Sequence, residues 1–397
     1  MSQRMDIDPN LSEAEAAAEM LNLIGLCPDP GRIILSQVLV AFMCQAYEDA
    51  GKSPSFCVFP YGSSGTQKTT IASFLTQAYN RSTGIIEPTR LNASRASAVE
   101  MLMDVADQVK VFDDLFPADS TQVRKNQEEI LSEITRYIGD GTIPARIKGS
   151  TVQEGRPKCG VLFTGEYLIG KGSDAARLLP VEMTKPDTTK LVQFQEQPLI
   201  VSSFYRNFIS WFIENYDETV SYLKKWLDEY RKTDLGVHDR LRETHFFLNT
   251  AYALLLEYCE AKGVLSKEEV LRFHKCFVEL LGKLVQQQNE RVSPTKVAAP
   301  VQGSILDRIK ELYRKHQLSI ANNKRQFNDG QHDGVIHKGC LCLRPQALAR
   351  LFPSSDVNDI ARQLDAEGAL IKGKDDLKKK ISALNGKYCY WIPLSRL

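Results

Sequence analysis

A chain of 397 residues is too long for one small domain and predicts two or three. Its 43% hydrophobic and 25% charged residues are those of an ordinary soluble globular protein, and no apolar run approaches the roughly 20 residues needed to span a bilayer. The net charge of +1 hides an asymmetry: residues 301–397 hold 17 Lys and Arg against 10 Asp and Glu, the first 300 hold 33 against 39, and a basic end on an acidic body predicts either a polyanion partner or a solvated lysine face.

The polar, acidic stretch 1–19 lacks the charged start and apolar core of a signal peptide, so the expectation is a cytosolic protein without a membrane partner. Residues 11–19 predict a helix capped by Ser12, and Pro28, Pro30 and Gly31 predict a break before a buried helix over 33–50. Residues 55–60 are a short apolar run entering a Gly/Ser-rich turn, the pattern of a buried parallel strand, and 69–79 continue as a helix. Further strands are expected at 84–91, 109–112, 159–163 and 178–183, with helices at 94–105 and 122–139, the latter capped by Ser120 or Thr121. Strands alternating with helices predict an α/β domain with a mainly parallel sheet.

After residue 188 the pattern is helical only, at 203–216, 222–231, 238–261 and 267–288. Phe204, Phe208, Trp211 and Phe212 recur at helical spacing and predict a core stripe. Residues 291–303, with Ser293-Pro294 and Ala299-Pro300, predict a linker. Beyond it come a helix over 304–316, a strand near 339–343, a helix opened by Pro345, a helix stopped by Gly368, and a hairpin turning at Asn385-Gly386. That is the order of a winged-helix domain. His332, His337, Cys340 and Cys342 invite a metal reading, but Cys-Leu-Cys-Leu alternates as a strand does and no second Cys-x-x-Cys arm follows. The nine cysteines have no paired spacing and predict reduced, mostly buried thiols. The segments are thus 1–50 (helical), 51–190 (α/β core), 191–290 (helical), 291–303 (linker) and 304–397 (winged helix).

Chemistry concentrates in the core. Gly62-Ser63-Ser64-Gly65-Thr66-Gln67-Lys68-Thr69-Thr70 follows a strand and opens a helix, and it fits the phosphate-loop pattern except that Gln67 takes the second glycine position. In such a loop, backbone N–H groups and the helix N-terminus wrap phosphates, Lys68 neutralises the terminal ones, and the Thr69 hydroxyl ligates magnesium. Gln67 is expected to be tolerated because the chain is turning helical there. Forty-four residues after Thr69, an apolar strand ends in Asp113-Asp114. Asp113 is the candidate magnesium acid and Asp114 the candidate that polarises the attacking water. Thr164, at the tip of the next strand, is the candidate that positions that water, with Glu166 second. Arg177 either reaches a neighbouring subunit's nucleotide or forms a surface salt bridge. Arg146 and Lys148, with Arg156 and Lys158, are read as a basic pore hairpin or an exposed loop. Lys372, Lys374, Lys378, Lys379 and Lys380 lie on or beside the wing and are candidate DNA contacts.

Together these motifs resemble the AAA+ ATPase domain of phage and mobile-element replication helicases. That group includes primase-helicases and the helicases of mobile resistance cassettes, related to minichromosome-maintenance ATPases. The resemblance spans 55–397 and is densest over 56–183. It implies an AAA+ P-loop core, a homo-hexameric ring and an ATP- and Mg2+-dependent DNA helicase acting in replication on single-stranded or duplex DNA. No primase-like domain precedes the loop, so the resemblance leaves two options: a standalone helicase, or one that relies on a separate primase or loader. Lys68, Thr69, Asp113, Asp114, Thr164 and Arg177 take the roles above, Arg177 in trans. Two positions depart: Gln67 replaces a glycine, and Asp114 a glutamate. The alternative reading is a non-translocating ATP-dependent DNA-binding protein, a replication initiator or defence regulator.

Overall fold

The computed structural model describes residues 5–78, 88–91, 95–103, 106–116, 120–148, 151–169, 172–292, 304–315, 317–328, 332–352, 357–373, 377–381 and 387–397. The chain forms two compact units, Met1–Ser293 and Pro294–Leu397.

The first unit opens with α1 (Glu13–Ile24), α2 (Pro28–Phe42) and α3 (Cys44–Asp49). Ser12 caps α1 in a full capping box with Glu15. Pro28 and Pro30 do not break the chain as expected: α2 starts at Pro28, because first-turn N–H groups have no helical partner to lose. The helix is buried from Ile33 to Phe42, as an all-round apolar helix must be.

The sheet and its crossovers follow: β1 (Cys57–Tyr61), α4 (Lys68–Leu75), β2 (Thr89–Arg90), α5 (Arg95–Met103), β3 (Ala106–Leu115), α6 (Thr121–Asp140), the hairpin β4 (Ile143–Lys148) and β5 (Thr151–Gly155), then β6 (Lys158–Gly165) and β7 (Leu178–Glu182). Five strands lie in the order β2-β3-β6-β1-β7, every pair parallel. Both faces are covered, which is why β6 is buried from Cys159 to Gly165. The strand period of two divides the core. Val58 and Leu162 face the cluster built with α2 and α4, while Phe59, Val161 and Phe163 face the one built with α5 and α6.

Helices α7 (Thr188–Gln195), α8 (Leu199–Glu214), α9 (Tyr216–Lys232), α10 (Asp239–Ala261) and α11 (Lys267–Val292) complete this unit. Phe204 and Phe208 are fully buried and Phe212 nearly so, each ring contributing about 2 kcal/mol by burial. Rings so enclosed cannot stack on bases. The stripe is core.

The second unit holds α12 (Ile305–Arg314), β8 (Ile320–Ala321), β9 (Gly334–His337), β10 (Cys340–Leu343), α13 (Pro345–Leu351), α14 (Val357–Ala366), β11 (Lys379–Ile381) and β12 (Lys387–Pro393). Its sheet runs β11-β12-β10-β9-β8. The Cys-Leu-Cys-Leu strand alternates as read: Leu341 and Leu343 face the helical core, while Cys340 and Cys342 face Val335, Cys389 and Trp391. Among the described residues, no helix is long and apolar enough to cross a membrane.

Candidate nucleotide site

At the carboxyl end of β1 the chain turns through Gly62 to Gln67 and enters α4 at Lys68. Gly65 has φ +84, a conformation that glycine adopts without steric cost. Gln67 also lies in the left-handed region, at φ 59 and ψ 27. This corrects the expectation that the chain is already turning into the right-handed helix there. A glycine fits here because of the backbone, and a non-glycine residue carries a cost of about 1–2 kcal/mol. The Gln67 carboxamide partly offsets it by accepting a hydrogen bond from the Thr70 hydroxyl at 3.0 Å. Lys68 Nζ donates to the carbonyls of Gly62 at 2.8 Å and Ser63 at 3.0 Å, which holds its ammonium over the loop. Thr66 Oγ1 donates to Ser63 O at 2.9 Å and braces the turn.

The sheet order brings the acids to this loop. β6 lies between β1 and β3, so its tip stands between the phosphate loop and the acidic strand end. Along β3 the register shifts between Phe112, opposite Phe163, and Leu115, opposite Gly165. Two residues, Asp113 and Asp114, therefore face the single Thr164. Such a bulge re-aims side chains next to active sites. Asp114 has φ +76, which aspartate tolerates better than most residues, and the Gln127 amide donates to its carbonyl at 3.1 Å. The Thr69 hydroxyl donates to Asp113 Oδ1 at 2.6 Å, and the Thr164 hydroxyl donates to the same oxygen.

A cavity of about 240 Å³ opens here, lined by Ser64, Gly65, Gln67 to Thr70, Asp113, Asp114, Thr164 and Glu166. Partial burial, and then the neighbouring Asp113 carboxylate, raise the Asp114 pKa above its ordinary value, while Arg90 and Lys68 pull it back. A more basic carboxylate is better suited to accept a proton from water. Arg90 had no motif to mark it in the sequence; it stands on β2 in register with Asp113.

Arg177 lies elsewhere. Its side chain is only 9% exposed, Nη2 donates to Asp140 Oδ1 at 2.5 Å, and Nη1 donates to Ser173 O at 2.7 Å. Arg240 reaches the same carboxylate at 3.3 Å and the Gly139 carbonyl at 2.8 Å. The Arg177 stem crosses Gly139 so closely that a Cβ there would sit 2.2 Å from Cδ. The Arg177 guanidinium is thus buried, and the salt bridge of the sequence reading reaches the surface only at its Asp140 end, which is 45% exposed. Among the proposed DNA contacts, Lys372 pairs with Asp365 at 3.0 Å, Lys378 stands 5.9 Å from the Tyr390 ring centroid, and Lys379 stands 5.0 Å from that of Trp391. Lys374 and the side chains of Arg146, Lys148 and Lys380 lie outside the described residues.

No protein-family model matches the chain, and no curated protein does. Solved structures similar to it include the SCCmec type IV Cch active helicase, at 13% identity over 96% of this chain and 70% of that one, with a TM-score of 0.49. The C-terminal region of NrS-1 is 12% identical over 98% of this chain and 77% of that one, TM-score 0.38. The inhibitor-bound JCV helicase is 13% identical over 61% and 74%, TM-score 0.30. These likenesses are distant, and the functional reading rests on the chain's own residues.

Proposed function

We propose that the chain is an ATP-driven DNA helicase of the AAA+ type, acting as a ring in replication of a phage or mobile element. The single observation that carries the reading is the convergence of Lys68, Thr69, Asp113, Asp114 and Thr164, from three separate strand ends, on one cavity. Hydroxyl and carboxylate oxygens 2.6 Å apart, without imidazole or thiolate, fit magnesium, which takes few protein ligands and shares the rest with phosphates and water. Thr69 Oγ1 and Asp113 would hold it. When bound, the ion neutralises charge on the β- and γ-phosphate oxygens.

The chain's own groups do the rest. Backbone N–H groups of the loop and the start of α4 bind phosphate oxygens. Lys68 leaves the Gly62 and Ser63 carbonyls for the β- and γ-phosphates. Thr164 orients a water, and Asp114 takes its proton as the water oxygen bonds to the γ-phosphorus and ADP departs. For Arg177, a role at a neighbour's nucleotide requires the Asp140 pair to open on assembly. Residues 304–397 serve as the winged-helix DNA-binding part.

A forked duplex with a labelled strand tests the reading. Strand separation is expected with ATP and Mg2+ and is lost when either is withheld. DNA-stimulated turnover that leaves the fork paired would favour the non-translocating alternative. No turnover at all would overturn both.

A further inference from the structure

The described cations of the second unit differ in whether a carboxylate holds them. On and beside the helices most are ion-paired: Arg308 and Lys315 share Glu311, Lys310 pairs with Asp307, Arg362 with Asp359, and Lys372 with Asp365, while Arg314 donates to Leu397 O. Helix α14 carries Asp359 and Asp365 against Arg362 alone, a net negative charge. Both acids are held by cations, Asp359 by Arg362 and Asp365 by Lys372, so a phosphate meeting this helix must first break an ion pair. Yet α14 is the helix that the winged-helix reading would send into a DNA groove.

Four other cations, Lys324, Arg325, Lys338 and Lys379, make no ion pair among the described residues. Lys324, Lys338 and Lys379 gather on the sheet face opposite the helical core, and Arg325 adjoins Lys324 in the chain. β9 and β10 join through Lys338 and Gly339, both at positive φ (50° and 71°), and this tight turn leaves Lys338 exposed. The His337 ring beside it lies 5.3 Å from the Trp391 ring, and Lys379 Nζ lies 5.0 Å from the same ring. Lys324 joins them. After burial, Lys324 and Lys338 together lower the His337 pKa, and Lys324 and Lys379 both act on the Cys342 thiol. Arg325, next in the chain, is exposed.

We propose that this face, presented by Lys324, Arg325, Lys338 and Lys379, and not helix α14, is where the second unit tracks a nucleic-acid phosphate backbone. Unpaired cations can meet phosphates without first giving up a carboxylate, so they release counterions at no loss of internal ion pairs. Trp391, at 5% exposure, cannot stack on bases, so contact is through phosphates and is indifferent to sequence. The proposal rests on the function above only for its choice of DNA as the polyanion.

The test uses the full chain, fluorescein-labelled forked DNA and anisotropy at several salt concentrations without nucleotide. One variant changes Lys324, Arg325, Lys338 and Lys379 to Gln; the other changes Arg362 to Gln on α14. Thermal melts matching wild type show that both are folded. The four-site variant is expected to bind at least ~10-fold more weakly at moderate salt, with a log–log salt slope shallower by about 3, since each lost phosphate contact removes roughly 0.7–0.9. The α14 variant should match wild type. Unchanged binding in the four-site variant, or an equal loss in the Arg362 variant, overturns the proposal. So does wild type that ignores DNA and binds vesicles of phosphatidylglycerol and phosphatidylcholine. Fork unwinding is scored separately on wild type. Unwinding with unchanged binding in the four-site variant defeats this inference alone, whereas lost binding in that variant without wild-type unwinding defeats only the helicase reading.

Discussion

Lys68→Ala is expected to reduce Mg2+-dependent ATP hydrolysis by about 100-fold or more while leaving the fold intact. In the proposed mechanism the charge that Lys68 would bring to the terminal phosphates matters most in the transition state, and losing one such preorganised contact typically costs two to three orders of magnitude. Its hydrogen-bond partners here are two backbone carbonyls, Gly62 O and Ser63 O, and its effect on the Asp114 carboxylate is shared with Arg90. The truncation therefore removes catalysis without stranding a buried charge. Phosphate release from purified protein, alongside matching thermal melts, is the check. Turnover within a few-fold of wild type would remove Lys68 from the mechanism.

Asp140→Ala is expected to destabilise the first unit by roughly 2–3 kcal/mol. Stranding a buried charge costs about 3–5 kcal/mol, and the figure is discounted because the Asp140 side chain is 45% exposed. What remains around the Arg177 guanidinium is one carbonyl, Ser173 O, the Asp174 carboxylate that Arg136 already holds, and a second cation, Arg240. Its Nε has no partner even in the intact protein. Adding Arg177→Met removes the stranded charge, so the double variant should recover most of the loss. Denaturant titration of the four proteins closes the cycle. A double variant no more stable than Asp140→Ala would show that the pair is not what holds this corner together.

The turn from Gly62 to Gln67 and the acids Asp113 and Asp114 were legible as strand-end features because each is a short contiguous pattern with a strand before it and a helix after it. Lys68, Thr69, Asp113 and Thr164 needed only the parallel-sheet reading to be brought to one place. What could not be read depends on backbone geometry or on distant partners. The left-handed conformation at Gln67 is invisible in composition. The burial of Arg177 depends on Asp140, 37 residues earlier, and on a glycine at 139 that lets the side chain cross. Strands β8 and β9, of two and four residues, are too short to show a period of two. The start of α2 was obscured because proline breaks a helix interior and favours its first turn. The cation groups of the second unit were equally hidden, since sequence counts lysines but does not say which already have carboxylates.

Binding of a non-hydrolysable ATP analogue, measured calorimetrically with and without Mg2+, tests the central claim most directly. With wild type, one site per chain is expected, tightened by Mg2+. Asp113→Asn should abolish the magnesium dependence, and Lys68→Ala should weaken binding in both conditions. Absence of binding by wild type, or binding that neither substitution alters, would contradict the assignment of this cavity.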